Sequence, residues 1–146
     1  MQPSLSPDRL NALFQQGVAA LRAGDGAAAR APLQTIAGTS QANEQVWLLL
    51  AQACDMADDR AAARAALEQV IARDARNPYA LAMMGDVLAR EGDDRAAVAW
   101  LDRALAVAEG VQGLPADLVA RLDRAAATRT AIAGRFAQAM THALAQ

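Results

Sequence analysis

The sequence predicts an all-α fold, and composition is the first reason. Alanine occupies 40 of the 146 positions, whereas the whole chain has five aromatic residues. Alanine is the strongest helix former, and so little Thr, Tyr or Phe argues against a substantial β-sheet. A chain of this length suffices for one domain or for three to four small repeats. We therefore expect helices that pack through small side chains.

The second reason is a repeat of 34 residues, the kind of self-similarity that decides a fold where it occurs. Apolar residues within 44–77 fall at three- and four-residue steps in two stripes separated by a turn, so each unit is predicted to be a helical hairpin. The small-residue columns are expected where the paired helices approach closely. The columns in register are Gly17/Ala51/Gly85, Ala29/Ala63/Ala97, Leu33/Leu67/Leu101, Asp25/Asp59/Asp93, Ile36/Val70/Ala104 and Leu13/Trp47/Leu81.

Capping residues mark where the helices begin. The acidic column is placed to accept backbone N–H bonds at the start of each second helix. Asparagine starts the second and third units, and one of these is followed by proline at the first helical position, where its missing N–H costs nothing. The first helix is expected to open the same way, with residues 1–5 disordered. The predicted caps are Asp25, Asp59, Asp93, Asn43, Asn77 before Pro78, and Ser6 before Pro7.

One residue conflicts with this pattern. Pro32 falls inside the predicted second helix of the first unit. An interior proline removes a helical hydrogen bond and clashes with the preceding turn, at a cost of about 3 kcal/mol or more. We expect a kink or a late helix start there.

The hairpin pattern resembles the tetratricopeptide repeat (TPR), whose 34-residue motif has Trp, Leu, Gly and Tyr followed by Ala, Phe, Ala and Pro. The resemblance covers residues 10–110 and implies a right-handed α-solenoid of three hairpins. We expect a single domain, 1–146, with repeats at about 10–43, 44–77 and 78–111. The matching residues are Leu13, Gly17, Ala20, Ala29, Leu33 and Ile36, then Trp47, Leu50, Ala51, Cys54, Ala63, Leu67 and Val70, then Leu81, Met84, Gly85, Leu88, Ala97, Leu101 and Ala104.

A long helix at about 115–145 is expected to cap the last hairpin. Pro115 is expected to open it, and a fourth repeat is disfavoured because Arg135 stands where that repeat would have Leu or Phe. Gly134 marks a possible bend. An end cap is needed because a stack of hairpins otherwise exposes an apolar face. The apolar stripe that would cover it is Leu118, Leu122, Ala125, Ile132, Phe136, Met140 and Leu144.

The TPR resemblance implies a concave groove, formed by the first helix of each hairpin, that binds a peptide or partner segment. Its amides can bond a peptide backbone, and Arg22 and Arg90 are candidate partners for carboxylates. Family members that clamp the carboxyl terminus of heat-shock chaperones have Lys, Asn and Arg at positions that here are Phe14, Val18, Leu49, Tyr79 and Met83, so that specialisation is disfavoured. The expected groove residues are Asn11, Phe14, Gln15, Val18, Arg22, Gln45, Leu48, Leu49, Gln52, Met56, Tyr79, Ala82, Met83, Asp86 and Arg90.

Other functional classes find little support in the sequence. A net charge of −2 disfavours nucleic-acid and membrane partners. The start MQPSLSPDRL lacks the features of a secretion signal, so a cytoplasmic protein is expected. One cysteine and one histidine predict no metal site, no cofactor and no catalytic residue. Cys54 is expected in the core and His142 on the surface, while Trp100 either binds a partner or packs on a linker or the last helix.

Two alternatives remain open beside a peptide-binding module. Within residues 85–146, the run from Gly85 to Leu88, the Gly92-Asp93 turn, Leu114-Pro115 and the long final helix with its arginines also resemble a second family. This is the N-terminal repeat region of bacterial aspartyl/asparaginyl β-hydroxylase-like proteins, in which an iron- and 2-oxoglutarate-dependent domain follows the repeats. That resemblance implies a non-catalytic module of a larger enzyme. The second alternative is self-association as a homodimer, since apolar groove residues such as Phe14 and Leu49 can be buried between two copies.

Overall fold

A computed structural model describes residues 3–146, and the secondary structure within that range consists of seven α-helices. They are α1 (Pro7–Arg22), α2 (Gly26–Ala37), α3 (Glu44–Met56), α4 (Arg60–Arg73), α5 (Pro78–Arg90), α6 (Asp94–Ala108) and α7 (Ala116–Leu144). The predicted all-α class is confirmed. Contacts group the chain into two compact units, the first ending at Ala75 and the second spanning Arg76–Gln146. The single 1–146 domain therefore stays a prediction.

The first unit contains two helical hairpins. Helix α1 packs on α2, α3 packs on α4, and α2 packs on α3 between the hairpins. Gly26, the first residue of α2, lies against the end of α3: a Cβ atom there would lie 2.6 Å from the Ala53 carbonyl oxygen. Only a residue without a side chain allows the two hairpins to approach this closely.

The second unit contains one hairpin and a long helix. Helix α5 packs on α6, and α7 contacts both. Its core cluster joins the three helices through Leu81 and Ala82 of α5, Ala104 of α6, and Leu118 and Leu122 of α7. The long helix therefore packs on the hairpin as a first helix of a further repeat would.

Within the hairpins, the small-residue columns are points of contact, as predicted. A Cβ atom on Gly17 would lie 2.8 Å from Leu33 Cγ, and one on Gly85 would lie 2.6 Å from Leu101 Cγ. Both distances are shorter than any normal carbon–carbon contact. Ala51 at the equivalent position of the middle hairpin is fully buried, and so is the whole Ala29/Ala63/Ala97 column.

The turn inside each hairpin has one repeated geometry. Gly24, Asp58 and Gly92, which are 34 residues apart, have positive φ angles of 77°, 61° and 86°. The next residue is in each case the predicted aspartate cap, whose carboxylate accepts the backbone N–H three residues later at 3.0, 3.1 and 3.3 Å. The chain reverses at the left-handed residue, and the cap then starts the second helix.

Asp59 also links two helices of the first unit. Besides the N–H of Ala62, its carboxylate is contacted by the Arg30 guanidinium at 3.1 Å. The pKa of Asp59 is lowered chiefly by the bond from the Ala62 N–H, with a further contribution from Arg30. The same side chain thus caps α4 and binds α2.

The remaining caps are confirmed, but the predicted disorder is wrong where it can be checked. Ser6, Asn43 and Asn77 each accept a backbone N–H at the start of a helix. Residues 3–5 are held by the α2–α3 loop: Gln41 accepts the Leu5 N–H at 2.6 Å and donates to the Leu5 carbonyl at 2.9 Å. This amide pairs with the backbone as a neighbouring strand would. Residues 1 and 2 of the predicted segment lie outside the described residues.

The expectation of a late helix start around Pro32 is also wrong. Helix α2 begins at Gly26, the position equivalent to the starts of α4 and α6, and continues through Pro32 to Ala37. The Asp25 cap fixes the start, and the proline ring is buried. Apolar burial of the ring offsets part of the cost of the lost hydrogen bond.

Helix α7 is a single helix of 29 residues, as predicted, and its length follows from the turn chemistry. The positions equivalent to Gly92 and Asp93 are Ala126 and Ala127, two strong helix formers in place of a turn and a cap. Helix α7 therefore continues where the hairpins reverse, and it runs without interruption through Gly134. The N-cap residue is Pro115, with Ala116 as the first helical residue.

The capping role of α7 is confirmed for its first part and wrong for its last part. Leu118, Leu122, Ala125 and Ile132 are buried, whereas Phe136, Met140 and Leu144 are 57%, 66% and 82% exposed. The reason is the length of the helix beneath. Arg135 contacts Asp94, the first residue of α6, at 3.1 Å. Beyond that point α7 extends past the end of α6. Over the part of the chain that is described, no helix is both long and apolar enough to cross a membrane.

Two glycine-to-alanine substitutions test the close approach of paired helices. We expect them to change the free energy of unfolding in opposite directions. Gly85→Ala forces a methyl group against the fully buried Leu101, and we expect a loss of about 1–3 kcal/mol in the free energy of unfolding. Gly134→Ala adds a methyl group where nothing lies within 4 Å, and we expect a gain of about 1 kcal/mol from helix propensity. Urea unfolding followed by circular dichroism measures both. A Gly85→Ala protein as stable as the wild type would contradict the packing argument.

Candidate functional site

The expected groove residues of the first unit lie on α1 and α3, two helices in contact with each other. Four of the apolar members and one amide are partly covered and partly accessible, namely Phe14, Val18, Leu48, Leu49 and Gln52. The others are exposed: Asn11, Gln15, Arg22, Gln45 and Met56. This unit therefore presents apolar side chains at the surface, accompanied by several amides.

The expected groove residues of the second unit all lie on α5 and differ in accessibility. Ala82 and Met83 are buried, at 2% and 3% exposure, and Ala82 belongs to the core cluster. Asp86 and Arg90 are exposed and form an ion pair at 3.0 Å across one helical turn. The accessible surface that α5 contributes is therefore mainly charged.

Tyr79 connects this surface to α7. Its hydroxyl donates to the Asp117 carboxylate, 3.2 Å from each oxygen. Burial raises the pKa of Tyr79, and the hydrogen bond to Asp117 raises it further because ionisation would set two negative charges together. Asp117 is a residue that sequence reasoning missed, since it is 38 positions away and belongs to no repeat column.

The two candidate carboxylate partners are not equivalent. The Arg90 guanidinium already has a carboxylate beside it, whereas Arg22 is an exposed residue in the last turn of α1. A bound carboxylate would have to compete with Asp86 for Arg90. Arg22 is consequently the better placed of the two to bind an acidic group of a ligand.

The other singled-out residues have structural roles. Cys54 is 1% exposed, and burial raises the pKa of its thiol, which opposes formation of the nucleophilic thiolate. His142 is on the surface, hydrogen-bonded to Gln146 at 3.0 Å. Trp100 packs against the core cluster of the second unit, with the Arg103 guanidinium 4.5 Å from its ring centre. Its packing role is thus favoured over partner binding.

Comparisons with known proteins identify the fold. No protein-family model matches the sequence, and no curated protein sequence is significantly similar. Among solved structures, PcrH bound to the chaperone-binding region of PopD is 21% identical, with a TM-score of 0.78 over 92% of this chain and 98% of that one. The Yersinia enterocolitica type III secretion translocator chaperone SycD is 16% identical, with a TM-score of 0.79 over 91% and 98%.

A third solved structure is also similar. The first TPR of Spaghetti (RPAP3), bound to an HSP90 peptide, is 13% identical, with a TM-score of 0.67 over 84% of this chain and 94% of that one. The chain has a TPR-like fold. The predicted class, a helical-repeat solenoid, is thereby confirmed. These comparisons give no support to the second resemblance, to hydroxylase-like proteins. Identities this low establish the fold alone.

Titration of the single tyrosine tests the contact between α5 and α7. The near-ultraviolet absorbance of tyrosinate reports Tyr79 alone, because the chain has one tyrosine. We expect Asp117→Asn to lower the Tyr79 pKa towards its ordinary value of 10.0, because the neighbouring negative charge is removed.

The matched control is Asp123→Asn, which removes a carboxylate from the same helix six residues further on. It should leave the Tyr79 pKa unchanged. Equal titration curves for the wild type and Asp117→Asn would show that the hydrogen bond does not form.

Proposed function

We propose that this protein is a non-catalytic peptide-binding module that holds a segment of a partner protein against the first helices of its hairpins. The observation that carries the proposal is the surface of α1 and α3. Phe14, Val18, Leu48 and Leu49 are partly exposed on two adjacent helices that belong to the same unit. Apolar side chains concentrated in this way are typical of a surface that another chain covers.

The character of this surface indicates what kind of segment it binds. Leucine, valine and phenylalanine side chains provide contacts for apolar residues of a ligand. Gln15, Gln45 and Gln52 supply both donors and acceptors, which suit the N–H and C=O groups of an extended backbone. Arg22 adds one position for an acidic residue. The expected ligand is therefore a peptide with apolar anchors and few charges.

Structures with the same fold support a chaperone or adaptor role. PcrH is described in complex with the chaperone-binding regions of PopB and PopD, and the Spaghetti repeat in complex with an HSP90 peptide. We favour a mode like the former, in which a stretch of the partner chain is bound. The residues at the carboxylate-clamp positions here, among them Phe14, Val18 and Leu49, carry no positive charge, which disfavours recognition of a terminal carboxylate.

The remaining expectations fit within the same proposal. The accessible groove residues of the second unit, Tyr79, Asp86 and Arg90 on α5, are part of it as a surface of that unit. A non-catalytic role and a cytoplasmic location belong to the same proposal. Ala82 and Met83 would support the α5 surface from beneath, since their side chains are buried.

Truncation of the two adjacent leucines tests the proposed surface. A peptide library displayed on phage selects ligands of the wild-type protein, and fluorescence polarisation then measures their affinity. We expect Leu48→Ala with Leu49→Ala to weaken binding about 30-fold. Each half-exposed leucine contributes roughly 1 kcal/mol when a ligand completes its burial, and 1.4 kcal/mol is tenfold in affinity.

The control is Glu68→Ala, an exposed truncation on the second helix α4. It should leave the affinity unchanged, and circular dichroism should show the same helix content for all three proteins. If the α4 variant weakened binding as much as the leucine pair, the surface of α1 and α3 would not be the binding site.

A further inference from the structure

Two hydrogen bonds join the chain segments that lead into α1 and α3. The Gln41 side chain accepts the N–H of Leu5 at 2.6 Å and donates to the carbonyl of the same residue at 2.9 Å. Leu5 directly precedes the Ser6 cap of α1, and Gln41 lies two residues before the Asn43 cap of α3. This contact, the Leu5–Gln41 clasp, therefore ties together the amino-terminal ends of the two helices that carry the proposed peptide surface.

The α2–α3 loop gives the clasp a rigid support. Thr39 is 4% exposed; its hydroxyl donates to the Ile36 carbonyl of α2 at 2.6 Å and accepts the N–H of Gln41 at 3.2 Å. The Ser40 N–H adds a bond to the Pro3 carbonyl at 3.0 Å. The backbone of Gln41 is thus fixed to α2, and its side chain reaches the segment before α1 from there.

The hairpin repeat does not require this clasp. The position 34 residues after Gln41 is Ala75, whose methyl side chain can form neither of the two hydrogen bonds. Caps and small-residue columns recur from hairpin to hairpin, whereas the side chain that makes the clasp does not. What the two clasped helices have in common is the partly exposed apolar surface, so we looked for the role of the clasp there.

The clasp lies close to that surface. Helices α1 and α3 each pack chiefly on α2, and their direct contact with each other is slight. At 1.5 Å per residue, Phe14 is about 10 Å along α1 from its first residue, and Leu48 is about 6 Å along α3 from its first residue. A ligand that contacts both helices needs them at one spacing, and the clasp holds them together near the side chains it would touch.

We propose that Gln41 is a positioning residue of the peptide site. Through the clasp it fixes the spacing of α1 and α3, so their apolar side chains are in place before a ligand arrives. This inference rests on the proposed peptide-binding function, and Gln41 itself contacts no ligand. When only a fraction of the molecules has the competent spacing, the apparent affinity falls by that fraction.

Binding kinetics of Gln41→Ala test the proposal, with the peptides selected on the wild-type protein as probes. We expect association to slow about threefold to tenfold, because fewer molecules have the competent spacing. The dissociation rate should be unchanged, since the bound ligand keeps all its contacts. The matched control is Gln34→Ala, which removes an exposed amide from α2 and should change neither rate.

Two further variants separate positioning from a general loss of stability. Val70→Ala truncates a fully buried side chain of α4 in the same unit, and it should lower stability without slowing association. Leu5→Pro removes the N–H that Gln41 accepts. Its effect on association and that of Gln41→Ala should not add, because both act on one contact.

The spacing itself can be measured without any ligand. Spin labels on Arg9→Cys and Gln45→Cys, both exposed positions, report the distance between the starts of α1 and α3 by pulsed electron paramagnetic resonance. Cys54, at 1% exposure, is too buried to be labelled. We expect one narrow distance distribution with Gln41 present and a broader one, extending to longer distances, after Gln41→Ala.

Three results would overturn the proposal. They are an unchanged distance distribution in Gln41→Ala, an effect of Gln41→Ala on dissociation alone, and an equal slowing of association by Val70→Ala. If no peptide bound the wild-type protein, the proposed function would fail, while the distance measurement would still decide whether Gln41 sets the spacing of α1 and α3.

Discussion

The close approach of paired helices is the constraint on which the rest of this structure depends. Where Gly17 faces Leu33 and Gly85 faces Leu101, there is no room for a methyl group. Such contact buries the leucine side chain completely, and the buried alanine columns extend it along each hairpin. A helix of 12 to 16 residues is marginally stable alone, so this burial supplies what local propensity does not. The high alanine content is thus a requirement of packing distance as much as of helix formation.

Turn chemistry decides how far that packing is repeated. In each of the three hairpins, a left-handed residue followed by an aspartate cap reverses the chain. The equivalent positions in α7 are Ala126 and Ala127, and there the helix continues. The helix that continues then covers the third hairpin with its first half and leaves its second half exposed. Two residues therefore decide whether the second unit ends in a further hairpin or in one long helix with a projecting end.

Much of this fold could be predicted from the sequence. Helix-capping residues act locally, and the apolar stripes and the small residues at helix contacts recur at regular spacing. What escaped prediction depends on partners that periodicity does not encode. Gln41 fixes the segment before α1 through one amide, and Asp117 meets Tyr79 across 38 residues. The spacing of the apolar residues in α7 correctly predicts a helix. Its pattern states which side chains share a face, but the length of α6 decides which of them are covered. The groove residues on α1 and α3 have the accessibility expected of a binding surface, and their role stays a proposal.

The projecting end of α7 also has a consequence for how the molecule opens. The single helix of 29 residues contains two segments that are stabilised by different interactions. The turns up to Ile132 are held by the hairpin beneath and exchange their amide hydrogens only when that packing opens. The turns beyond Phe136 rest on helix propensity alone in one copy, and a segment of this length is marginal in water. Amide exchange along α7 should therefore change sharply within a few residues, although the backbone geometry is the same on both sides.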